Sequence, residues 1–435
     1  MRKALIITYY WPPSGGAGVQ RWLKFVKYLR EFGWEPVIYT PSNPGFNIID
    51  ESLSKDILVG IEIIKKPIWE PYTFYKRFTN KKDVPNTGSE IVSEKKSSGF
   101  IKKLSIWIRG NIFIPDARKF WIKPSVRFLT KYLKNSPVDL IISSGPPHSM
   151  HLVALELKAK LNIPWLADFR DPWTDIDYYK EMNISAFSHR KHQRLELKTI
   201  TSCDAMVVVS QSMKDNYEKM GSKNIHIITN GFDPSDIGET IPKKNNKFSI
   251  SHIGTLPPAF NMNGLWMVLK DLCVSLPGFK ENLEIKLIGN VDANVVREIT
   301  TNKLEEYLIL PGYVSHQQAA TLMKQSCVLL VVINHKSPNA KGILTGKIFE
   351  YLATGRPVLA IGPTDGDLAK ILEDSEAGNI ALYDDIDTIK SIVTAFYQRY
   401  LTNELGTNNK KINNYTRRFL TAKLADVMNK LPILH

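Results

Sequence analysis

The residues with the clearest chemical purpose run Lys341-Gly-Ile-Leu-Thr-Gly-Lys-Ile-Phe-Glu-Tyr-Leu-Ala-Thr-Gly-Arg-Pro-Val358. A glycine-bearing loop opens a helix here, and Gly355 closes it ahead of a strand. The amides of Gly342, Ile343, Leu344 and Thr345, at or before a helix start, suit a diphosphate. Lys347 and Glu350 stand one turn apart, and a carboxylate in that place suits a pair of ribose hydroxyls. The competing reading is a Lys–Glu pair that only stabilises the helix surface.

Four other segments hold candidate chemistry. In Ser14-Gly15-Gly16-Ala17-Gly18, between a strand and a helix, glycines let amides approach an anion, or simply make a tight turn. In Ser143-Ser-Gly-Pro-Pro-His148-Ser-Met-His151, two prolines stiffen the chain and place His148 and Ser149 at the next helix start. His148 reads equally as a structural histidine or as a site residue beyond the carboxyl end of a strand. In Asp168-Phe-Arg170-Asp171-Pro-Trp173, three charged groups beside a buried strand need partners. They form either a structural clasp of Arg170 on a carboxylate, or a wall on which Arg170 reaches a phosphate or an acidic sugar. Thr229-Asn-Gly-Phe-Asp233 is a turn close to a domain boundary.

These segments need a frame to hold them. A strand over 4–9, a helix over 19–32 ended by Gly33 and a strand over 36–40 make a βαβ unit and predict a parallel sheet. Apolar runs at 61–64, 140–143, 165–167, 206–209 and 225–228 extend it. A second series begins after the turn-rich stretch 234–247, with strands over 248–253, 284–288, 308–310, 328–332 and 357–361. Continuous runs such as Val328-Leu-Leu-Val-Val332 indicate strands buried on both faces. The expectation is an α/β chain of two doubly wound domains facing a central cleft. They cover 1–240 and 241–410, and a last helix within 411–435 packs on either one. Residues 79–99 are polar and turn-rich, and predict a mobile loop. With the following residues to 109 it forms a basic segment of the first domain.

At 435 residues the chain exceeds a single core, and 43% hydrophobic with 23% charged residues is ordinary for a globular protein. Cys203, Cys273 and Cys327 are far apart, with neither metal-ligand spacing nor a disulfide framework, which fits a reducing cytoplasm. No apolar run is long enough to span a bilayer, and the start is too short for a signal peptide's apolar core. The formal charge is +14, and 65–134 holds seventeen Lys and Arg against five Asp and Glu, so +12 of it sits in seventy residues. A localised basic region implies an anionic partner. No base-stacking or groove-reading module accompanies it, which argues against nucleic acid. Over 100–109, Ile101, Leu104 and Ile108 share one helical face with lysines and Trp107 around it. That pattern suits a helix on an anionic membrane, or one covering the domain's own core.

In this order, Tyr10-Trp-Pro-Pro-Ser-Gly-Gly, Asp168-Phe-Arg-Asp-Pro-Trp, Thr229-Asn-Gly-Phe-Asp, His252-Ile-Gly254-Thr-Leu, Leu310-Pro-Gly312-Tyr-Val-Ser and Phe349-Glu350-Tyr-Leu-Ala-Thr-Gly-Arg-Pro-Val follow one another along the chain. The chain thereby resembles the family-4 glycosyltransferases of the GT-B type, which have two Rossmann-like domains. The resemblance implies transfer of a sugar from a nucleotide-sugar donor, with retention and without a metal or other cofactor. The acceptor would be a glycan or lipid-linked sugar in bacterial cell-surface polysaccharide synthesis; the basic helix over 100–109, read as a membrane-surface helix, would place the first domain at the inner face of the membrane to meet it. The resemblance implies that Glu350 binds the donor ribose, that the backbone at Gly312 and Tyr313 reads the base, and that Gly15, Gly16 and Gly254 face the donor. His148 would contact the transferred sugar.

Two departures stand out. The family's second Glu, eight residues before the ribose-binding one, is Gly342 here. Its Arg and Lys after the first strand of the second domain are missing, since Thr255 follows Gly254 and 256–265 holds no basic residue. Leaving-group charge would then fall to Lys347, the loop amides and Arg170. A nucleotide-sugar epimerase or a non-catalytic sugar-nucleotide sensor of the same fold are the alternatives.

Overall fold

The computed structural model describes residues 1–46, 49–71, 100–237, 246–260, 262–334, 336–406 and 411–432; the loop expected over 79–99 lies outside them. Two compact units divide the chain. The first is Met1–Thr229 together with the last helix, and the second is Asn230–Thr416.

In the first unit, β1 (Arg2–Ile7), β2 (Trp34–Pro41), β3 (Glu62–Lys66), β4 (Leu140–Gly145), β5 (Trp165–Phe169), β6 (Ala205–Val208) and β7 (Ile225–Ile227) form one sheet. The order is β3-β2-β1-β4-β5-β6-β7 with every pair parallel. Its helices are α1 (Ala17–Leu29), α2 (Phe100–Asn111), α3 (Lys119–Asn135), α4 (Ser149–Leu161), α5 (Ala186–Ser202) and α6 (Gln211–Lys219). The continuous apolar run of β1 has a simple cause. Leu5 and Ile7 enter one core with Trp121, Val126 and Leu129 of α3, while Ala4 and Ile6 enter another with Val19, Trp22 and Val26 of α1. Both faces of the strand are dry, so neither set of alternate positions can be polar. Gly33, at φ 83°, ends the turn after α1 in the left-handed region.

The second unit repeats the plan with β8 (Phe248–Ile253), β9 (Leu283–Ile288), β10 (Leu308–Gly312), β11 (Val328–Val332), β12 (Val358–Ile361) and β13 (Gly378–Ala381), ordered β10-β9-β8-β11-β12-β13 and all parallel. Its principal helices are α7 (Asn263–Ser275), α8 (Ala293–Thr301), α9 (His316–Gln325), α10 (Gly346–Ala353), α11 (Asp367–Ser375) and α12 (Ile386–Leu401). Val328, Leu330 and Val332 face one core and Leu329 and Val331 the other. In both sheets the strand order reverses beside the first strand, between β1 and β4 and between β8 and β11. Open parallel sheets bind ligands at the carboxyl ends of such a reversal.

The last helix, α13 (Arg417–Asn429), returns to the first unit, where Leu420, Leu424 and Met428 join the core under α1 and Asn429 accepts from Trp34 Nε1 at 3.0 Å. The three cysteines are free thiols. Among the described residues no helix is long and apolar enough to cross a membrane.

Candidate functional site

In the second unit glycines line the carboxyl ends of three adjacent strands on one side of the reversal point. Gly254, Gly289 and Gly312 end the adjacent strands β8, β9 and β10 with φ of 127°, 119° and 76°. They are laced together: Gly254 donates to the Ile288 carbonyl at 2.7 Å, and Gly289 to the Gly312 carbonyl at 2.8 Å. A Cβ on Gly289 would run into the Gly254 backbone, and one on Gly254 would overlap the ammonium of Lys347. Gly289 was not among the residues picked from sequence, although a glycine directly after the apolar strand Leu283–Ile288 was a signal for it.

Helix α10 brings the other groups. Tyr351, fully buried, accepts from the Ile253 amide at 3.0 Å and so clamps the helix to the end of β8. One turn earlier on the same face, Lys347 lies against Gly254. Among the described residues it has no ion pair or hydrogen bond. Burial brings its ammonium down to about 8, with Glu350 pulling the other way. His252 lies nearby, its ring between the carbonyls of Leu330 at 3.0 Å and Thr255 at 3.4 Å. Burial, and then the Lys347 charge, bring it down to about 4, so it is neutral.

The loop before α10 is more selective than its glycines suggested. The amides of Gly342 and Ile343 close a single turn onto Asn339 and Ala340. They are therefore not free for a ligand, which corrects the expectation for those two. Leu344, Thr345 and Gly346 donate to no described group, and a Cβ on Gly346 would meet nothing within 4 Å. Thr345 is the N-cap residue of α10, but its hydroxyl makes no cap bond and is buried without a partner. Three amides, an orphaned hydroxyl and an unpaired cation thus gather at one helix start. Tyr313 lies beyond the glycine at the end of β10 and is 89% exposed. Lys341 and Asp365 pair at the surface beside Gly342.

In the first unit the Asp168 segment does not form the clasp that its sequence offered as one of two readings. Arg170 does not clasp a carboxylate; Arg21 does. Arg21 Nη2 lies 2.8 Å from Asp168 Oδ1 with both side chains out of solvent. Trp22 Nε1 at 2.7 Å and Ser144 Oγ at 2.9 Å satisfy Oδ2. Arg21 also donates to the carbonyls of Ile228 and Thr229. Asp168 is therefore interior structure rather than a site wall.

Arg170 is released by that arrangement. It donates to the Pro146 carbonyl, lies 5.6 Å over the Tyr10 ring, and has Nη1 2.9 Å from where a Cβ on Gly18 would stand. It therefore adjoins the loop of Gly15 and Gly16. Gly16 caps α1 at φ 87° with open space at its Cα.

His148 sits at the start of α4, its ring stacked 4.5 Å from that of Trp173 at 5° and its Nδ1 buried without a partner. Burial, with His151, His192 and Arg170 adding to it, holds it well below the ordinary histidine value. The helix start beside it is already filled, because Asp116 accepts from the Ser149 amide at 2.8 Å and hydroxyl at 2.9 Å. His151, stacked on Phe169, bonds Ser143 Oγ at 2.8 Å, and burial brings it down to about 3. The structure thus brings His148, Arg170 and the Gly15–Gly16 loop to one sheet end, and Lys347, Glu350, Gly254 and three loop amides to another. Among the described residues no three His, Cys, Asp or Glu side chains group as metal ligands.

Residues 93–236 match the family model described as Glycosyltransferase Family 4. No curated protein sequence matches the chain. Several solved structures resemble it over its whole length. Sucrose-phosphate synthase from Thermosynechococcus elongatus is 12% identical with a TM-score of 0.62, covering 99% of each chain. HepE from Anabaena, solved in complex with UDP-glucose, is 14% identical with a TM-score of 0.61, covering 99% of this chain and 100% of its own. A glycosyltransferase from Rickettsia africae is 13% identical with a TM-score of 0.61, covering 99% and 98%. These likenesses establish the fold, two Rossmann-like α/β units in one chain.

Proposed function

We propose that the protein is a retaining glycosyltransferase that takes its sugar from a nucleotide-sugar donor. One observation carries the reading. An unpaired, half-buried Lys347 sits against Gly254 at the start of α10, with open amides before it and Glu350 a turn later. That constellation is built for a diphosphate with a ribose attached. The Glycosyltransferase Family 4 match over 93–236 supports it independently.

On this reading Glu350 accepts from the ribose hydroxyls, and the backbone at Gly312 and Tyr313 meets the base. As the bond from the anomeric carbon to the diphosphate oxygen breaks, Lys347 and the amides of Leu344 to Gly346 take up the growing negative charge. Catalysis is then chiefly electrostatic, and the donor phosphate receives the acceptor's proton. The lysine and the amides supply what a metal would otherwise supply, so no cofactor is required. In the first unit, His148 is assigned to the transferred sugar. Held neutral, it works as a hydrogen-bonding group and not as a cation. Arg170 and the Gly15–Gly16 loop are assigned to phosphate. The acceptor is a glycan or lipid-linked sugar of bacterial cell-surface polysaccharide, reached from the cytoplasmic side.

The test is incubation with a panel of nucleotide sugars followed by mass spectrometry. Transfer, or slow release of the nucleoside diphosphate, supports the transferase. An isomerised donor would instead make the protein an epimerase, and a donor bound but unchanged would make it a sensor.

A further inference from the structure

The basic region leaves a surface that the donor reading does not use. Helix α3 carries Lys119, Lys123, Arg127, Lys131 and Lys134 and no acidic residue. The last four are exposed and lie three or four positions apart, so they form one stripe along the helix. On α5, Arg190, Lys191, Arg194 and Lys198 are exposed, while the helix's one acid, Glu196, is buried. Elsewhere in the basic region, Glu70 is buried against Arg118 at 2.9 Å and Asp116 is occupied by Ser149. Among the described residues, both helices therefore show positive charge to solvent, and neither carries an exposed acid of its own.

Exposed apolar side chains run beside these stripes. Trp107 and Leu104 stand one turn apart on α2, 43% and 44% exposed, and Ile112 follows at 49%. Phe120, just ahead of the α3 stripe, packs edge-on to the exposed Trp69 at 4.7 Å, and Phe187 opens α5 at 78% exposure. These elements are contiguous. Lys119 donates to the Ile112 carbonyl at 2.6 Å and lies 5.1 Å over the Phe120 ring. Asn111 at the end of α2 accepts from the Ser185 amide at 2.7 Å and the Ser188 hydroxyl at 3.2 Å at the start of α5. Lys191 of α5 stands near enough to Lys119 that its charge, after burial, holds that ammonium below its ordinary value.

We propose that this face of the first unit docks onto a membrane surface of acidic phospholipids. Lysine and arginine stems reach up to the phosphates while their aliphatic parts cover apolar ground, and tryptophan and phenylalanine settle at headgroup depth. A nucleic acid would satisfy the cations but has no use for exposed Ile112 and Leu104 at helical spacing. The inference stands apart from the donor site, which lies in the second unit.

The full chain is sedimented with vesicles of phosphatidylcholine alone and of phosphatidylcholine mixed with phosphatidylglycerol. Binding only to the acidic vesicles, weakened by salt, is expected. Each cation contributes about fivefold, so the Lys123→Glu, Arg127→Glu, Lys131→Glu triple variant should bind a hundredfold or more weakly. Trp107→Ser with Phe187→Ser should weaken binding about tenfold or more while keeping its salt dependence. Unchanged melting temperature and unchanged nucleotide affinity identify folded variants, so failure here is separable from failure of the donor reading. Several results would overturn the proposal: no vesicle binding, equal binding to neutral and acidic vesicles, or preferential retention on duplex DNA. A dimer held by Trp107 and Phe187 in place of vesicle binding would overturn it as well.

Discussion

Replacing Lys347 with methionine tests the donor site most directly, because it keeps the bulk of the side chain and removes only the charge. The lysine is lowered from 10.5 to about 8, so at pH 7 it is still mostly charged. Holding that charge in the empty site costs up to about 3 kcal/mol, at 1.36 kcal/mol per unit. A diphosphate about 4 Å away returns about 4 kcal/mol at an effective dielectric of 20, part of which repays its own dehydration. The net value of a hydrogen bond to a charged group, about 1.5–3 kcal/mol, sets the expected loss at roughly 10- to 150-fold in nucleoside diphosphate affinity. Calorimetry at pH 7 measures it. Wild-type affinity should also fall as pH rises through about 8, where the lysine loses its proton, and the variant should show no such fall.

The unliganded protein gives the opposite sign. Its folded lysine binds a proton less readily than the unfolded one. Folding stability should therefore rise between about pH 8 and 10.5, and Lys347→Met should abolish that rise while leaving the empty protein as stable or more so. Unchanged affinity at pH 7, or a pH profile that survives the substitution, would refute the assignment of Lys347 to the diphosphate.

Glu350→Ala should weaken nucleotide binding about tenfold or more, and a deoxyribose nucleotide should lose correspondingly less in the variant; calorimetry decides both. Gly254→Ala puts a Cβ into the Lys347 ammonium at φ 127°, and should cost about 1–3 kcal/mol in urea unfolding together with most of the nucleotide affinity. Asp168→Ala strands a buried Arg21 and should cost about 3–5 kcal/mol, whereas the Arg21→Met, Asp168→Leu pair should cost less than that single change. His148→Ala should lower the turnover of transfer more than nucleotide affinity. No step in the wild-type rate near pH 6.5 should trace to it, because burial keeps that imidazole neutral.

Sequence alone reached the parts of this molecule that are local. The βαβ opening, the continuous strands and the loop-to-helix motif around Glu350 follow from periodicity and punctuation within a dozen residues. What escaped depends on partners that only topology brings together. Arg21 meets Asp168 across 147 positions because α1 starts, and β5 ends, along the carboxyl edge of the same sheet. The motif containing Arg170 suggested a clasp at close range, but the nearer arginine turns towards Pro146 and Tyr10 instead. Asp116 occupies the helix start beside His148 from 33 positions away. Gly342 looked like part of a phosphate loop, and only its backbone bond to Asn339 shows it turned to another use.

The Arg21–Asp168 interior has a consequence for how such a sequence can vary over generations. One carboxylate takes donors from Arg21, Trp22 and Ser144, and the same guanidinium holds the carbonyls of Ile228 and Thr229. Changing any member alone leaves a dehydrated charge or donor without a partner, so intermediate genotypes are penalised. The four side chains form one heritable unit. A lineage leaves this arrangement only by coordinated replacement, so Arg21, Trp22, Ser144 and Asp168 are expected to covary among descendants of this chain.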